Sequence, residues 1–339
     1  MEILRFQGAR LKPYFYLIPV LLSLTGCTTA NLNSVKLSDS TQSSNQSKTD
    51  KITLNIDGLK KCANSKDNSI QISPDMPVTI LVHGCFSSAG KFRALADVYN
   101  LNEQQAVCFE YNDRDDLEVV SGNLAQAINE LAVSIPGQTI NIIGHSQGGL
   151  ISRRSLIANR NDNIRVEAHD IHLTTISSPF NGITASSHCG VEPLRIFSFG
   201  MVDLICYAVT GNKYRQITPT SYFVNHPGDL VPSVTEHLLI KTDEEKSCRT
   251  FDNTGHCIED DFVFSLDEQS NPMTDKPTNV KALTVKAGHV EIVGNETYAP
   301  TKLLKVLYDN HLLHLNNENV EYEISHIINR VYLEPQLSI

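Results

Sequence analysis

The sequence has few basic residues for its length of 339. Its 28 lysines and arginines stand against 38 aspartates and glutamates, so the formal net charge is −10 at pH 7. A protein that binds nucleic acid needs a basic face against the phosphates, and this charge balance argues against such a partner. It also provides no electrostatic attraction to anionic lipid, so any membrane contact would depend on an anchor or an apolar patch.

The sequence also lacks an internal repeat and a long hydrophobic run. Its N-terminal apolar run, residues 14–25, is too short to span a bilayer comfortably as a mature helix. Arg5, Arg10 and Lys12 precede this run, and small residues follow it before Cys27. This arrangement is typical of a secretory signal, which we predict for residues 1–26.

The end of the predicted signal, Leu24-Thr25-Gly26-Cys27, resembles the lipobox of bacterial lipoproteins. The resemblance implies that Cys27 is lipidated and becomes the first mature residue, and Thr28 in place of an aspartate then favours the outer membrane. An ordinary cleaved signal with a free Cys27 is the alternative. Residues 27–50 are polar, with almost no large apolar side chains, which predicts a flexible tether of about 25–30 Å.

The cysteine count fits an exported protein, in which disulfides can form. The chain has eight cysteines, and their spacing does not match a zinc site. Without Cys27 the count is odd, so at least one thiol is free or pairs outside the chain. Candidate pairs are Cys248 with Cys257 across a turn-rich stretch and Cys189 with Cys206 across an inserted loop. Cys85 is a further candidate, with either Cys62 or Cys108 as its partner.

Residues 51–339 are long enough for one large α/β domain or two small ones. In their first half, short apolar runs alternate with segments of helical periodicity, which predicts a doubly wound, mostly parallel sheet. The predicted strands are residues 77–82, 105–111, 139–143 and 166–176, with edge strands within 51–72; the predicted helices are residues 90–99, 117–131, 303–313 and 320–331.

Two segments interrupt this alternation. Residues 180–215 mix glycine, cysteine and polar residues with an apolar set. They predict either a small cap or lid over the site or a short helix packed in the outer layer of the core. Residues 241–276 are acidic and rich in turn residues, which predicts a surface excursion.

The strongest functional motif is Gly144-His145-Ser146-Gln147-Gly148, between a predicted strand and a helix-like segment. A serine hydroxyl is a poor nucleophile unless it stands beside a base and near backbone N–H donors. A sharp strand-to-helix turn presents Ser146 in this way, and the glycines leave room for strained backbone. The motif therefore predicts Ser146 as a nucleophile; an incidental serine in a glycine-rich turn is the alternative.

Three motifs carry a family resemblance: His83-Gly84, the motif around Ser146, and Ser-Ser-Pro-Phe-Asn-Gly at residues 177–182. Together they resemble the bacterial serine lipases and esterases of the α/β-hydrolase fold. The resemblance implies that fold and a catalytic triad in the chain order serine, aspartate, histidine. It implies neither a metal nor an organic cofactor.

Asp229 is the predicted acid of the triad. Residues 221–225 have the pattern of a strand, and Asp229 follows them in a turn that resembles the Asp-x-Val-Pro loop of lipases. Asp203 is the rival, but it lies in the apolar insertion with no strand before it. A turn-forming aspartate without a catalytic role is the alternative for Asp229.

His289 is the predicted base. It follows a strand-like run, residues 280–285, and a glycine, and the family places its histidine in the loop after the last strand. His145, beside the nucleophile, is assigned to packing or to the shape of the loop.

The oxyanion hole needs backbone N–H donors close to the nucleophile. The N–H group of Gln147 is one predicted donor. By resemblance, the N–H group of Cys85 is the other, with Phe86 as its possible substitute.

These features predict a membrane-tethered, serine-dependent carboxylic ester hydrolase that acts on lipid-like acyl esters through an acyl-enzyme, as a lipase or phospholipase-like enzyme does. The lipid preference depends on the resemblance, the membrane address and the apolar insertion, not on the triad. The alternatives are a short-chain carboxylesterase, an acyltransferase, a peptidase with the same triad, and a non-catalytic hydrolase-like binding lipoprotein.

Overall fold

The short apolar runs of the sequence form the strands of the molecule. The computed structural model describes residues 50–184, 211–316 and 319–333, which belong to one compact unit, residues 48–339. The strands are β1 (Ile52–Leu54), β2 (Leu59–Lys60), β3 (Ile70–Ile72), β4 (Val78–Val82), β5 (Gln105–Phe109), β6 (Thr139–His145), β7 (Asp170–Ile176), β8 (Val234–Asp243), β9 (Cys248–Phe251), β10 (Cys257–Asp260) and β11 (Val280–Lys286).

Seven of these strands form the central sheet in the order β11, β8, β7, β6, β4, β5, β2. Only β2 runs antiparallel to its neighbour, and the other pairs are parallel. The strands β4, β6 and β7 carry consecutive buried residues, as strands covered on both faces must. The prediction of a mostly parallel sheet is therefore confirmed. β1 with β3 and β9 with β10 form separate antiparallel pairs.

Helices cover both faces of this sheet. The helices are α1 (Arg93–Leu101), α2 (Leu117–Ser134), α3 (Gln147–Ser155), α4 (Tyr222–Asn225), α5 (Leu266–Gln269), α6 (Pro272–Asp275), α7 (Thr301–Asp309) and α8 (Val320–Ile327). One apolar core contains the buried side chains of α2 and α3. The other contains those of α1, α7 and α8. The sheet is thus doubly wound, as predicted.

The prediction of a strand at residues 221–225 is wrong. The segment forms the single turn α4, and the Ser221 hydroxyl caps it by accepting a hydrogen bond from the N–H of Val224 at 3.1 Å. The strand after β7 is instead β8, whose residues Leu238, Leu239 and Ile240 are buried. Burial on both faces favoured this later apolar run over the earlier one.

Residues 241–276 are more than a surface excursion. They include the end of β8, the β9–β10 hairpin and the short helices α5 and α6. Glu244, Asp261, Phe264 and Gln269 in this segment are all buried. The segment therefore belongs to the framework of the domain.

Two disulfides lie within the described residues. The predicted Cys248–Cys257 bond is present and closes the β9–β10 hairpin. Cys62 bonds to Cys108, so Cys85 keeps a free thiol and pairs with neither. Most of the predicted cap, together with Cys189, Asp203 and Cys206, lies outside the described residues, as does Cys27. None of the described helices is long and apolar enough to span a membrane.

Candidate active site

Ser146 occupies a strained turn between β6 and α3. Its φ of 58° and ψ of −124° lie where a side chain is unfavourable, and such strain is common at functional positions. The surrounding glycines are sterically required. A Cβ at Gly148 would lie 2.2 Å from the carbonyl oxygen of Val82, and one at Gly84 would lie 3.0 Å from the Cβ of Ser146.

Strand register places Ser146 beside Ser177. His145 at the end of β6 pairs with Ile176 at the end of β7, and the N–H of Ser146 donates to the Ile176 carbonyl at 2.8 Å. The next residue along each strand end is a serine. Because the strands are parallel, both serines lie at the same edge of the sheet, the carboxyl edge, where α/β proteins place their sites.

His289 lies at this edge, in the loop that follows β11. Its Nδ1 is 2.8 Å from the Ser177 hydroxyl, and its carbonyl accepts a hydrogen bond from His145 Nε2 at 3.0 Å. These contacts place His289 against His145, which precedes Ser146, and against Ser177, which lies beside Ser146 at the end of the neighbouring strand. Within the described part of the chain no hydrogen bond joins Ser146 to His289; in free enzymes such bonds are often long and shorten when substrate binds.

The carboxylate that orients His289 belongs to Glu244, which directly follows β8. Its Oε1 lies 3.0 Å from His289 Nδ1 and accepts the hydroxyls of Ser177 at 2.7 Å and Thr242 at 2.8 Å. Its Oε2 accepts the N–H groups of Val263 at 2.6 Å and Phe264 at 2.8 Å. This buried side chain therefore receives hydrogen bonds on both oxygens.

These hydrogen bonds keep Glu244 ionised. Burial by itself raises the pKa of the carboxyl, but the contacts with His289, the N–H of Phe264 and the Ser177 hydroxyl outweigh it and lower the pKa to about 2. An ionised carboxylate at Nδ1 holds the imidazole in the tautomer whose Nε2 is free to accept a proton, and it stabilises the imidazolium.

The prediction that Asp229 is the partner of His289 is wrong. Ser146 stands at the start of α3, whereas Asp229 lies near the opposite end of that helix: its carbonyl accepts the N–H of Ala158 at 2.8 Å, and Leu230 bridges to Ile157. The nine residues of α3 separate the two ends by about 13 Å. Asp229 instead lines a surface cavity of about 600 Å³ at that end.

A signal for Glu244 was present in the sequence. The apolar run at residues 238–240 ends in Lys-Thr-Asp-Glu, so an acidic residue follows a strand-like segment. The misplaced strand at 221–225 put the acid one segment too early, which carried the assignment to Asp229.

The first candidate oxyanion donor is Gln147. It is the first residue of α3, where backbone N–H groups have no partner within the helix and the helix dipole favours negative charge. The second candidate is Cys85, which follows Gly84 at the end of β4. Phe86 is excluded as its substitute, because the Phe86 N–H donates to Asp113 Oδ2 at 2.6 Å.

His145, which precedes Ser146 in the glycine-rich motif, contacts the loop of His289. Burial, and then the neighbouring His289, lower the pKa of His145 to about 3. His145 is therefore neutral at physiological pH, and its Nε2–H donates to the His289 carbonyl. This contact fits the predicted role of His145 in shaping the loop.

The mostly parallel sheet with helices on both faces has the α/β-hydrolase fold. The family model of palmitoyl protein thioesterase matches residues 77–232, just under half of the chain. No curated protein matches the chain significantly. Among residues 50–184, 211–316 and 319–333 no cluster of three or more histidine, cysteine or acidic side chains could hold a metal ion.

Solved structures share this fold at low sequence identity. The lipase BlEst2 of Bacillus licheniformis in its propeptide form has a TM-score of 0.50 and 15% identity, over 77% of this chain and 54% of that one. Its mature form gives 0.48 and 15%, over 76% and 97% of the two chains. A lipase-esterase related protein from Clostridium acetobutylicum gives 0.36 and 14%, over 72% and 93%. At these identities the similarity shows the fold. The family-model match separately supports ester hydrolase activity.

Proposed function

We propose that this protein hydrolyses acyl esters with Ser146 as nucleophile, His289 as general base and Glu244 as the acid that orients it. The observation that carries the proposal is the contact of 3.0 Å between the buried Glu244 carboxylate and His289 Nδ1, at the sheet edge where the strained turn presents Ser146.

In the proposed reaction, Ser146 Oγ attacks the acyl carbonyl carbon while His289 Nε2 takes the hydroxyl proton. The carbonyl electron pair moves onto oxygen, and the N–H groups of Gln147 and Cys85 stabilise the oxyanion. When the tetrahedral intermediate collapses, the bond to the leaving alcohol breaks and His289 returns the proton to it. Water, activated by His289, then attacks the acyl-enzyme and releases the carboxylic acid and Ser146.

We further propose a lipid-like acyl chain as the substrate. Phe86, next to candidate donor Cys85, is 74% exposed. Phe262 and Val263 are also exposed, and they belong to the segment whose N–H groups, at Val263 and Phe264, hold Glu244. Apolar side chains around a site favour an apolar substrate. The family-model match also raises a second candidate bond, the thioester of a fatty acyl chain, because that family is described as a palmitoyl protein thioesterase.

The membrane address is a separate proposal from the sequence. Cys27 would carry acyl chains, and residues 27–50 would tether the domain to the outer membrane. Growth with a labelled fatty acid tests it: the label is expected on the wild type and absent from Cys27→Ala. Equal labelling of both proteins, or of neither, would refute the anchor.

The activity test uses residues 28–339 with p-nitrophenyl esters of increasing acyl length and a palmitoyl thioester. Each methylene buried in an acyl groove is worth about 0.8 kcal/mol, so kcat/KM should rise with chain length and vanish in Ser146→Ala. Activity on short esters alone would indicate a carboxylesterase, and faster transfer to added alcohols than to water would indicate an acyltransferase. A folded wild type no faster than Ser146→Ala on every substrate would contradict the proposed function and favour a binding module.

A further inference from the structure

A lysine lies buried between the two candidate oxyanion donors. Lys213 is only 1% exposed, and its ammonium donates to Cys85 Sγ at 2.7 Å, to Gln147 Oε1 and to the Asp113 carbonyl. Thus one side chain contacts both residues whose N–H groups would face the oxyanion. The two belong to different segments, one after β4 and the other at the start of α3.

Asp113 also contacts both of these segments. Its carbonyl also accepts Gln147 Nε2 at 3.1 Å, and its carboxylate accepts the Phe86 N–H at 2.6 Å. The loop of Cys85 and Phe86 is therefore held from two sides, by Lys213 through the thiol and by Asp113 through the backbone. Lys213 and Asp113 therefore both connect the loop of Cys85 to Gln147.

The backbone near Lys213 is held in place by contacts that do not involve the Lys213 ammonium. A Cβ at Gly211 would lie 2.3 Å from the Arg114 carbonyl oxygen, so the chain packs directly on the loop of Asp113. Gln216 accepts the Leu117 N–H at 2.8 Å and donates to Asp116 Oδ2 at 3.0 Å. Removal of the ammonium should therefore leave this segment in place.

A buried ammonium is costly unless its environment compensates for lost hydration. An apolar side chain would avoid that cost if Lys213 only filled space. From its contacts with Cys85 and Gln147 we infer that Lys213 is a positioning residue of the oxyanion hole: it sets the spacing of the two backbone donors. This inference rests on the proposed function, because it assigns a role within that same reaction.

The experiment compares Lys213→Met, which keeps the stem and removes the charge, with Lys213→Arg and with Lys241→Met. Lys241 is the matched control: it is largely buried and contacts Ser270 Oγ at 2.8 Å and Asp275 Oδ2 at 2.7 Å, but it does not contact the candidate oxyanion donors. Loss of one oxyanion donor lowers kcat by a factor of about 10²–10³. We expect a factor of about 10–10² for Lys213→Met, with little change in KM and partial recovery in Lys213→Arg. The control should lose stability but keep kcat.

A trifluoromethyl ketone with the preferred acyl chain separates positioning from general stability. Ser146 Oγ adds to its carbonyl carbon, the serine proton passes to His289, and the carbonyl oxygen becomes an oxyanion in the hole. The inhibition constant should rise in Lys213→Met by about the factor by which kcat/KM falls. In Lys241→Met it should not change.

Each outcome decides the inference. If Lys213→Met folds and keeps wild-type kcat and inhibitor affinity, Lys213 does not set the spacing of the two oxyanion donors. If it does not fold, Lys213→Gln takes the same measurements, with the same meaning. A wild type no faster than Ser146→Ala overturns the proposed function and this inference together, whereas an active wild type with an unaffected Lys213 variant overturns the inference alone.

Discussion

The carboxylate of Asp261 lies in the space that a side chain at Gly288 would need: a Cβ there would be 2.2 Å from Asp261 Oδ2. The same carboxylate accepts the N–H groups of Val290 at 3.0 Å and Glu291 at 2.9 Å. The Asp261 carbonyl accepts the N–H of His289 at 2.9 Å. Asp261 thus fixes three successive residues of the loop that carries the candidate base.

Gly288→Ala should therefore displace the His289 loop and lower activity. Misplacement of a catalytic group by about 1 Å can slow the reaction by a factor of about 10², so ester hydrolysis should be about 10- to 100-fold slower at saturating substrate. Gly137→Ala is the control: Gly137 has φ of +77° and open space around it, so stability should fall by about 1 kcal/mol without loss of kcat. Equal kcat in both variants would show that the Asp261 contact does not position His289.

Glu244→Gln should be far more damaging than Asp229→Asn. The amide can hold the imidazole in the wrong tautomer and cannot stabilise its charge, which lowers kcat by a factor of about 10⁴ in a serine protease. We expect a loss of about 10³–10⁴ for Glu244→Gln and a change within about twofold for Asp229→Asn. Steady-state kinetics on folded proteins, verified by circular dichroism, distinguish the two. The reverse ranking would restore Asp229 as the acid.

The Cys248–Cys257 disulfide should affect activity as well as stability. The hairpin that it closes carries Arg249, whose Nη2 donates to Asp261 Oδ1 at 2.9 Å. Replacement of both cysteines by serine should cost about 3 kcal/mol by loop closure and also lower kcat.

The second disulfide, Cys62–Cys108, provides the comparison. Its sequence separation is 46 residues against 9 for Cys248–Cys257, so its removal should cost more, about 4 kcal/mol, with kcat retained. Urea unfolding and kinetics on both double variants test this. If kcat instead falls in both double variants in proportion to the loss of stability, the β9–β10 hairpin does not affect the site through Arg249 and Asp261.

Acid should destabilise the protein below pH 6.5 through two buried histidines. Burial lowers the pKa of both His145 and His237 from 6.5 to about 3. Unfolding restores the ordinary value, so the unfolded chain binds more protons between these limits. The contribution of these two histidines to the free energy of unfolding is complete above pH 6.5 and is lost as the pH falls towards 3. From pH 7.0 to 5.5 each histidine should reduce the free energy of unfolding by about 1 kcal/mol.

His237→Gln should remove one of these contributions. Urea unfolding at pH 7.0 and 5.5 should show a smaller pH dependence in this variant than in the wild type. His256→Gln, at a largely exposed side chain, should leave the dependence unchanged. A wild-type slope in His237→Gln would mean that the folded and unfolded chains protonate His237 over the same pH range, so that its burial does not lower its pKa.

Local signals made much of the fold predictable. Continuous apolar runs such as Val78–Val82 can only be buried between two layers, so the parallel sheet followed from the pattern. The backbone turn at Ser146 depends on neighbouring glycines and on the strand before it, all within a few residues. The position of His289 in the loop after the last strand of the sheet was also predictable, because a strand-like run and a glycine precede it.

Other features depend on contacts between distant segments. Glu244 reaches His289 across 45 residues, and its donors at 263 and 264 return through the β9–β10 hairpin. Lys213 lies 128 residues from Cys85. No local periodicity encodes such distances, and one misassigned strand was enough to move the acid to Asp229.

By itself, the sequence determined the alternation of strands and helices from β4 to β7 and the strained turn at Ser146, because these depend on burial and backbone sterics over short stretches. Only the tertiary structure decided which carboxylate meets His289, which thiol stays free and which lysine joins the candidate oxyanion donors. These are choices among many residues of the same type, and they are made by which side chains the packed sheet brings within hydrogen-bond distance.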